Sequence, residues 1–218
     1  MTFQEFENQT RYTLAKYIRD KSQIERYTEL ILGLFEEGAE VTSIIRRSIP
    51  GNFHETEIDI QHLEEELGDI LWYISHITMQ IPNSSLERIA IANLQKVNTS
   101  YQQEEKNTSF EKYQQGVIKT YRDDLPKLRT ERARYFSMGI IKEIGKLSEL
   151  FGEHWIDYKK LNVKKAEEKL GDTLWYLAAI SENYGLDLDT IARKNIKKTK
   201  SRYNKDGIAQ VLETGEER

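Results

Sequence analysis

The chain has 218 residues, of which 38% are hydrophobic and 31% are charged, a balance typical of a soluble protein with long surface helices. Its formal net charge of −4 argues against a nucleic-acid polymer as the main partner, and the absence of cysteine excludes disulfides and thiolate metal sites. The N-terminus shows no signal-peptide pattern and no apolar run approaches about 20 residues, so we expect a cytoplasmic protein without a membrane span.

The first half of the chain contains four segments in which apolar residues recur at the i, i+3, i+4 spacing of an amphipathic helix. Helices are predicted over residues 3–20, 24–48, 57–80 and 85–102. Pro50 with Gly51 and Pro82 separate the long segments, and Ser84 or Ser85 is a suitable N-cap for the last one. No segment shows the alternation of a strand, so the pattern predicts an all-α fold.

The same four segments recur in the second half, with a period of roughly 100 residues. The sequence EEELGDILWY at 64–73 returns as EEKLGDTLWY at 167–176. Three further pairs align: Asn93 with Asn195, Lys96 with Lys198, and Tyr101 with Tyr203. The period is too long for a solenoid and predicts two tandem four-helix repeats, residues 1–104 and 105–218, fused into a pseudo-dimeric helical bundle.

Four carboxylates lie on the apolar faces of the two long helices of the first half: Glu37, Glu40, Glu66 and Asp69. Each pair has the i, i+3 spacing that puts both side chains on one helix face. Unpaired acids near a helix contact would repel each other and lose hydration, and a hard cation such as Mg²⁺ or Mn²⁺ would relieve both costs. The alternative is two solvated pairs of helix acids. We interpret His62 as a supporting residue rather than a ligand.

The sequence EEGAE at 36–40, followed by EELGD at 65–69, resembles the EExxE…ExxD signature of the MazG-like, all-α nucleoside triphosphate pyrophosphohydrolases. The motif LGDILWY and the downstream sequence KNIKKTKSRY at 194–203 strengthen the resemblance, which covers nearly the whole chain. It implies cleavage of a (d)NTP between the α and β phosphates to (d)NMP and pyrophosphate. It also implies that the four carboxylates bind Mg²⁺, which would activate an attacking water.

The resemblance further assigns roles to individual residues. The catalytic candidates are Glu36, Glu37 and Glu66, and a solvated helix charge is the alternative for Glu36. The metal-ligand candidates are Glu37, Glu40, Glu66 and Asp69. The substrate-binding candidates are Tyr73, Asn93, Lys96, Lys194, Asn195, Lys198, Arg202 and Tyr203. Tyr73 is expected to contact the nucleoside, with a core aromatic as the alternative.

The second half departs from this signature. Three lysines replace acids: Lys142, Lys146 and Lys169 align with Glu36, Glu40 and Glu66. Because Glu143 and Asp172 remain, we expect an ion-pair cluster in place of a metal site and a catalytically inactive second half. The last helix of the second half carries the fuller set of basic residues. We therefore expect one composite site, with metals held by the first half and phosphate contacts supplied by the second; a solvated basic helix end is the alternative.

Other functions stay open at this point. Within the same superfamily the chain could act as a dUTPase or dCTPase, or on phosphoribosyl-ATP. A non-catalytic helical scaffold and a nucleic-acid-binding module based on the basic run 193–205 are rivals from other classes. The expected partner is a nucleoside triphosphate, with no membrane and no nucleic-acid polymer, and the chain is expected to be a monomer or a homodimer.

Overall fold

The computed structural model describes residues 1–51, 57–97, 108–202 and 208, and these residues form helices and no strand. The helices are α1 (Phe3–Thr10), α2 (Lys16–Arg19), α3 (Gln23–Arg47), α4 (Ile60–Gln80), α5 (Leu86–Val97), α6 (Phe110–Ile118), α7 (Arg129–Ile156), α8 (Val163–Asn183) and α9 (Leu188–Arg202). The expected all-α class is therefore confirmed. Within the described ranges, no helix has the length and apolar character needed to cross a membrane.

The first predicted helix, over residues 3–20, is wrong as a single element, because α1 ends at Thr10 and only the short α2 follows it. Threonine hydroxyls compete with the helical backbone for hydrogen bonds, and here two of them do so. The Thr13 hydroxyl donates to the carbonyl of Thr10 over 2.7 Å and accepts from the indole of Trp72 over 2.7 Å. The segment between α1 and α2 therefore contacts α4 through Thr13.

Helices α3 and α4 begin at residues that satisfy their first backbone N–H groups. Ser22 and Glu25 form a capping box at the start of α3, and the Asp59 side chain accepts from the N–H of His62 at the start of α4. The N–H of Leu86 in α5 donates to the Glu7 carboxylate instead, over 2.7 Å. The corresponding N–H of α9, on Leu188, donates to the amide oxygen of Gln114 over 2.8 Å.

The long helices pack in pairs, α3 on α4 and α7 on α8, and α3 also packs on α7. The last helix of each half lies across the other half, so that α9 packs on α4 and α5 packs on α8. Buried apolar residues from both halves form one continuous cluster. The assignment of 1–104 and 105–218 as two repeats stays an interpretation, and the polar joint expected near residues 102–109 lies largely outside the described residues.

Two glycines let the long helices approach closely. A Cβ atom added at Gly33 of α3 would lie 2.3 Å from the Tyr73 ring of α4, which is shorter than any van der Waals contact. The aligned Gly139 of α7 would meet the Tyr176 ring of α8 at 2.1 Å. Each tyrosine ring therefore packs directly on the backbone of the neighbouring helix, which sets the distance between the faces that carry the acids.

Candidate metal centre

The α3–α4 pair brings the four predicted carboxylates into two overlapping groups. Glu37, Glu66 and Asp69 each offer an oxygen, and these atoms all lie within 4.8 Å of one another. Glu40, His62 and Glu66 form a second group that meets the same limit. Glu66 belongs to both groups and is buried. The i, i+3 spacing read from the sequence therefore does converge on one place, and the two groups can share a ligand.

The electrostatics of these groups favour a bound cation. Burial raises the pKa of Glu37 to about 9, and the hydrogen bond with Glu66 and the negative charges of Asp69, Glu66 and Glu40 add to the shift. Burial and the charge of Glu66 also raise the pKa of Glu40. Crowded acids with raised pKa values are stabilised by a positive charge among them. The oxygen-rich donor set fits a hard divalent cation.

His62 joins this centre, although the sequence analysis gave it only a supporting role. Its Nε2 atom lies 2.8 Å from Oε1 of Glu66 and 3.9 Å from Oε2 of Glu40. The signal was present in the sequence, because His62 is four residues before Glu66 and shares its helix face. The imidazole nitrogen can therefore orient Glu66, as it does here, or act as a ligand itself.

Helix α9 reaches the centre through Asp69. The side-chain amide of Asn195 donates to Oδ1 of Asp69 over 2.7 Å, and the Lys198 ammonium contacts Oδ2 of the same carboxylate. Asn195 packs against Gly68, where an added Cβ would lie 3.2 Å from the Cβ of Asn195. The Oδ1 atom of Asn195 is buried and has no hydrogen-bond partner among the described residues. The amide is thus fixed by one end and offers an unused acceptor at the other.

A cleft of about 780 Å³ lies between α4 and α9, beside the contact of Asn195 with Gly68. Lys194, Lys198 and Arg202 line it, and Lys194 is paired with Glu64 of α4 over 2.5 Å. The basic residues predicted for substrate binding are therefore brought to the helix that carries Glu66 and Asp69. Tyr203, also predicted there, lies outside the described residues.

Some predicted site residues lie elsewhere. Glu36 is exposed on α3 and belongs to neither ligand group, and Tyr73 is half-buried against Gly33. Asn93 and Lys96 of α5 contact Asp172 of the second half, over 3.3 Å and 2.9 Å, and so do not reach the first-half centre. Their roles in catalysis and substrate binding stay predictions.

The second half carries the expected ion-pair cluster. The Glu143 carboxylate lies 2.9 Å from the ammonium of Lys142, 3.3 Å from that of Lys146 and 3.1 Å from that of Lys169. Lys169 also lies 3.0 Å from Asp172. Burial opposes the charge of Glu143, but the hydrogen bonds from Lys142 and Lys169 outweigh it and lower the pKa of this carboxyl. The predicted ion-pair cluster is confirmed, and its interpretation as the replacement of a metal site stays a prediction.

Comparison with protein families gives one match. Residues 25–104 match the model of the MazG nucleotide pyrophosphohydrolase domain, a segment that contains every candidate ligand in α3 and α4. Neither the curated proteins nor the solved structures give a significant match. The resemblance read from the sequence is thereby confirmed for this segment. The segment 25–104 is therefore similar to the MazG nucleotide pyrophosphohydrolase domain.

Proposed function

We propose that this protein is a metal-dependent nucleotide pyrophosphohydrolase that cleaves a (d)NTP between the α and β phosphates, releasing (d)NMP and pyrophosphate. The observation that carries the proposal is the convergence of Glu37, Glu66 and Asp69, whose oxygens lie within 4.8 Å of one another on packed helix faces. The family match over residues 25–104 supports the same reaction class. Lys198 is paired with Asp69, but the pKa of Glu37 is still raised by burial among acids, so a cation in this group would be stabilising.

Mg²⁺ is the proposed ion, with Mn²⁺ as a substitute, because the donors are mostly carboxylate oxygens. Such an ion neutralises phosphate charge and lowers the pKa of an attacking water. Glu37 and Glu66 lie close enough to share one proton, so with metal bound and both groups ionised, one could accept the proton of the attacking water while the other would remain a ligand. Glu36 lies on the exposed face of α3, so a base role for it would require a water outside the cluster.

We further propose that the active site is composite and that the chain is a tandem duplication. Asn195 and Lys198 contact Asp69, and Asn93 and Lys96 contact Asp172 in the same way, which supports two equivalent units crossed at their last helices. In this proposal α9 supplies Lys194, Lys198 and Arg202 to the phosphates of a nucleotide held by the first-half metals. Lysine and arginine are the usual protein partners of phosphate groups.

The test is pyrophosphate release across a panel of dNTPs and NTPs, with Mg²⁺ and with Mn²⁺. We expect activity toward at least one nucleotide and a loss of at least about 100-fold in kcat for Glu66→Gln, because one metal ligand contributes several kcal/mol to the transition state. The control is Glu111→Gln, which removes an exposed acid of α6. Absence of release from every nucleotide, or full activity in Glu66→Gln, would contradict the proposal.

A further inference from the structure

The second half contains a cavity of about 660 Å³ that the proposed hydrolysis does not use. It lies between α7, α8 and the segment that joins α6 to α7. Four aromatic side chains form part of its wall: Tyr121, Tyr135, Trp175 and Tyr176. Cavities of this size and character accommodate small organic ligands, and aromatic walls favour a flat ring as part of the ligand.

Two lysines of the ion-pair cluster line the same cavity. Lys142 lies 2.9 Å from Glu143 and 5.9 Å from the centroid of the Tyr176 ring, and 54% of its side chain is exposed. Lys96 lies 2.9 Å from Asp172, and 45% of its side chain is exposed. The Lys142 ammonium is therefore held in place by Glu143 and keeps donors that a ligand in the cavity can use. The Lys96 ammonium already contacts three carboxylate oxygens, one on Glu168 and two on Asp172, and contributes its charge.

Cations outnumber acids in this cluster. Its cations are Lys96, Lys142, Lys146 and Lys169, and its acids are Glu143, Asp172 and Glu168. Arg122 also lines the cavity but is paired with Asp124, so this pair adds no net charge. An unbalanced positive charge beside a cavity favours an anionic ligand, and the ammonium group is a compact partner for phosphate.

We propose that this cavity binds a phosphorylated compound that carries an aromatic ring, a nucleotide in chemical class, and binds it without a divalent cation. The phosphate would contact Lys142, and the ring would pack against Tyr135 and Trp175. In the first half, phosphate charge has to be balanced by metal ions among acids. In the second half, the lysines supply that balance permanently, so the site needs no ion from solution.

Calorimetric titration of the full chain with ADP in EDTA tests this proposal, with inorganic pyrophosphate and adenosine titrated separately. We expect ADP to bind, and Lys142→Gln to weaken that binding at least about tenfold, as expected for the loss of one charge-assisted contact. Lys142→Arg should restore it. Tyr135→Leu should weaken binding of ADP and adenosine but not of pyrophosphate. Lys160→Gln, at an exposed position outside the cavity, serves as the charge-matched control.

Glu66→Gln separates this site from the proposed catalytic centre. It should abolish hydrolysis and leave binding of ADP in EDTA unchanged, so the two proposals can fail independently. The proposal is overturned if ADP does not bind in EDTA. It is also overturned if Glu66→Gln loses the binding while Lys142→Gln keeps it. Equal binding of pyrophosphate and ADP, with no effect of Tyr135→Leu, would overturn the aromatic part and leave a simple anion site.

Discussion

The α3–α4 pair and the α7–α8 pair have the same packing and opposite electrostatics. Glu37 and Glu143 occupy aligned positions, but the pKa of Glu37 is raised to about 9 by burial among other acids. The pKa of Glu143 is lowered, because hydrogen bonds from lysines outweigh its burial. Lysine in place of glutamate at three aligned positions thus distinguishes the two clusters. The first is a group of acids that could bind a cation, and the second already contains ammonium groups.

The comparison also identifies contacts that the two halves share. Asp69 and Asp172 each accept from an asparagine and a lysine of the helix that crosses from the other half. Because this contact occurs in both halves, including the one that lacks the acid quartet, it contributes to packing wherever it occurs. The residues that differ between the halves, foremost Glu66 and Lys169, are therefore the sharper markers of function.

The largest expected effect is on the free energy of unfolding of the metal-free protein in EDTA. Substitutions at the aligned positions 66 and 169 should change it in opposite directions. Lys169→Met should lower the free energy of unfolding by about 3 kcal/mol, because it leaves Glu143 and Asp172 with one cation fewer at a mostly buried position. Glu66→Gln should raise it by about 1 kcal/mol, because it removes one of several repelling acids.

Urea unfolding of the metal-free proteins measures both changes, and addition of Mg²⁺ provides the second comparison. Mg²⁺ should stabilise the wild type and Lys169→Met but not Glu66→Gln, since a ligand that binds only the folded state raises its stability. If the two variants shift stability in the same direction in EDTA, the electrostatic contrast between the halves is incorrect.

A smaller effect is expected from the matched pair Lys198→Ala and Lys96→Ala. Both variants remove an ammonium from an aspartate, Asp69 in the first case and Asp172 in the second, and Asp172 keeps Lys169 as a second partner. In EDTA, Lys198→Ala should therefore lose more stability than Lys96→Ala. Only Lys198→Ala should raise KM for the nucleotide, by about tenfold, which corresponds to one lost phosphate contact of about 1.4 kcal/mol. Steady-state kinetics for the preferred nucleotide measures this difference. Equal KM values in the two variants would remove α9 from the active site.

The smallest expected effect concerns acid sensitivity. His76 of α4 is fully buried, and its burial, with the charge of Arg11 in addition, lowers its pKa to about 3 even though a hydrogen bond with Thr10 opposes the shift. The aligned position in α8 is Ala179, which is equally buried. Since the unfolded state binds a proton near pH 6.5 and the folded state does not, the contribution of His76 to the free energy of unfolding should fall by about 1 kcal/mol between pH 7 and 5.5. The raised pKa of Glu37 acts in the opposite direction in the metal-free protein, so the contribution of His76 is read from a comparison of variants.

The difference between the urea-unfolding pH profiles of the wild type and His76→Leu measures this loss. His76→Leu should remove most of it, because leucine has no proton to bind in either state. In the wild-type protein at pH 5.5, backbone amides of α4 should exchange with solvent faster than those of α8. A pH profile unchanged by His76→Leu would assign the acid sensitivity to other groups.

Much of the fold followed from the sequence because helical periodicity is a local property. The spacing of apolar residues and the prolines at 50 and 82 located α3, α4 and the start of α5 to within a few residues. The predicted end of the last of these helices, at residue 102, lies outside the described residues. The first helix was predicted too long, because the side chains of Thr10 and Thr13 take part in contacts with α4 that a local pattern does not contain.

The candidate site was only partly readable for a related reason. The spacing of Glu37 with Glu40 and of Glu66 with Asp69 indicated the right helix faces, and the lysine replacements indicated the ion-pair cluster. The contacts of Asn93 and Lys96 with Asp172 depend on which helices cross. Packing between segments about 80 residues apart in sequence determines that crossing. The position of His62 among the acids was not predicted, because one of its two acidic neighbours, Glu40, belongs to another helix.

The crossing of the last helices has a consequence for how this chain can change over time. Asn195 is 126 residues away from the Asp69 carboxylate that it contacts, and it lies outside the segment that matches the family model. Selection on the acids of α3 and α4 therefore extends to α9, and selection on α8 extends to α5. Among homologues, we expect the strongest covariation to link each acid cluster with the terminal helix of the opposite half, so an exchange of one half between relatives would separate partners that evolved together.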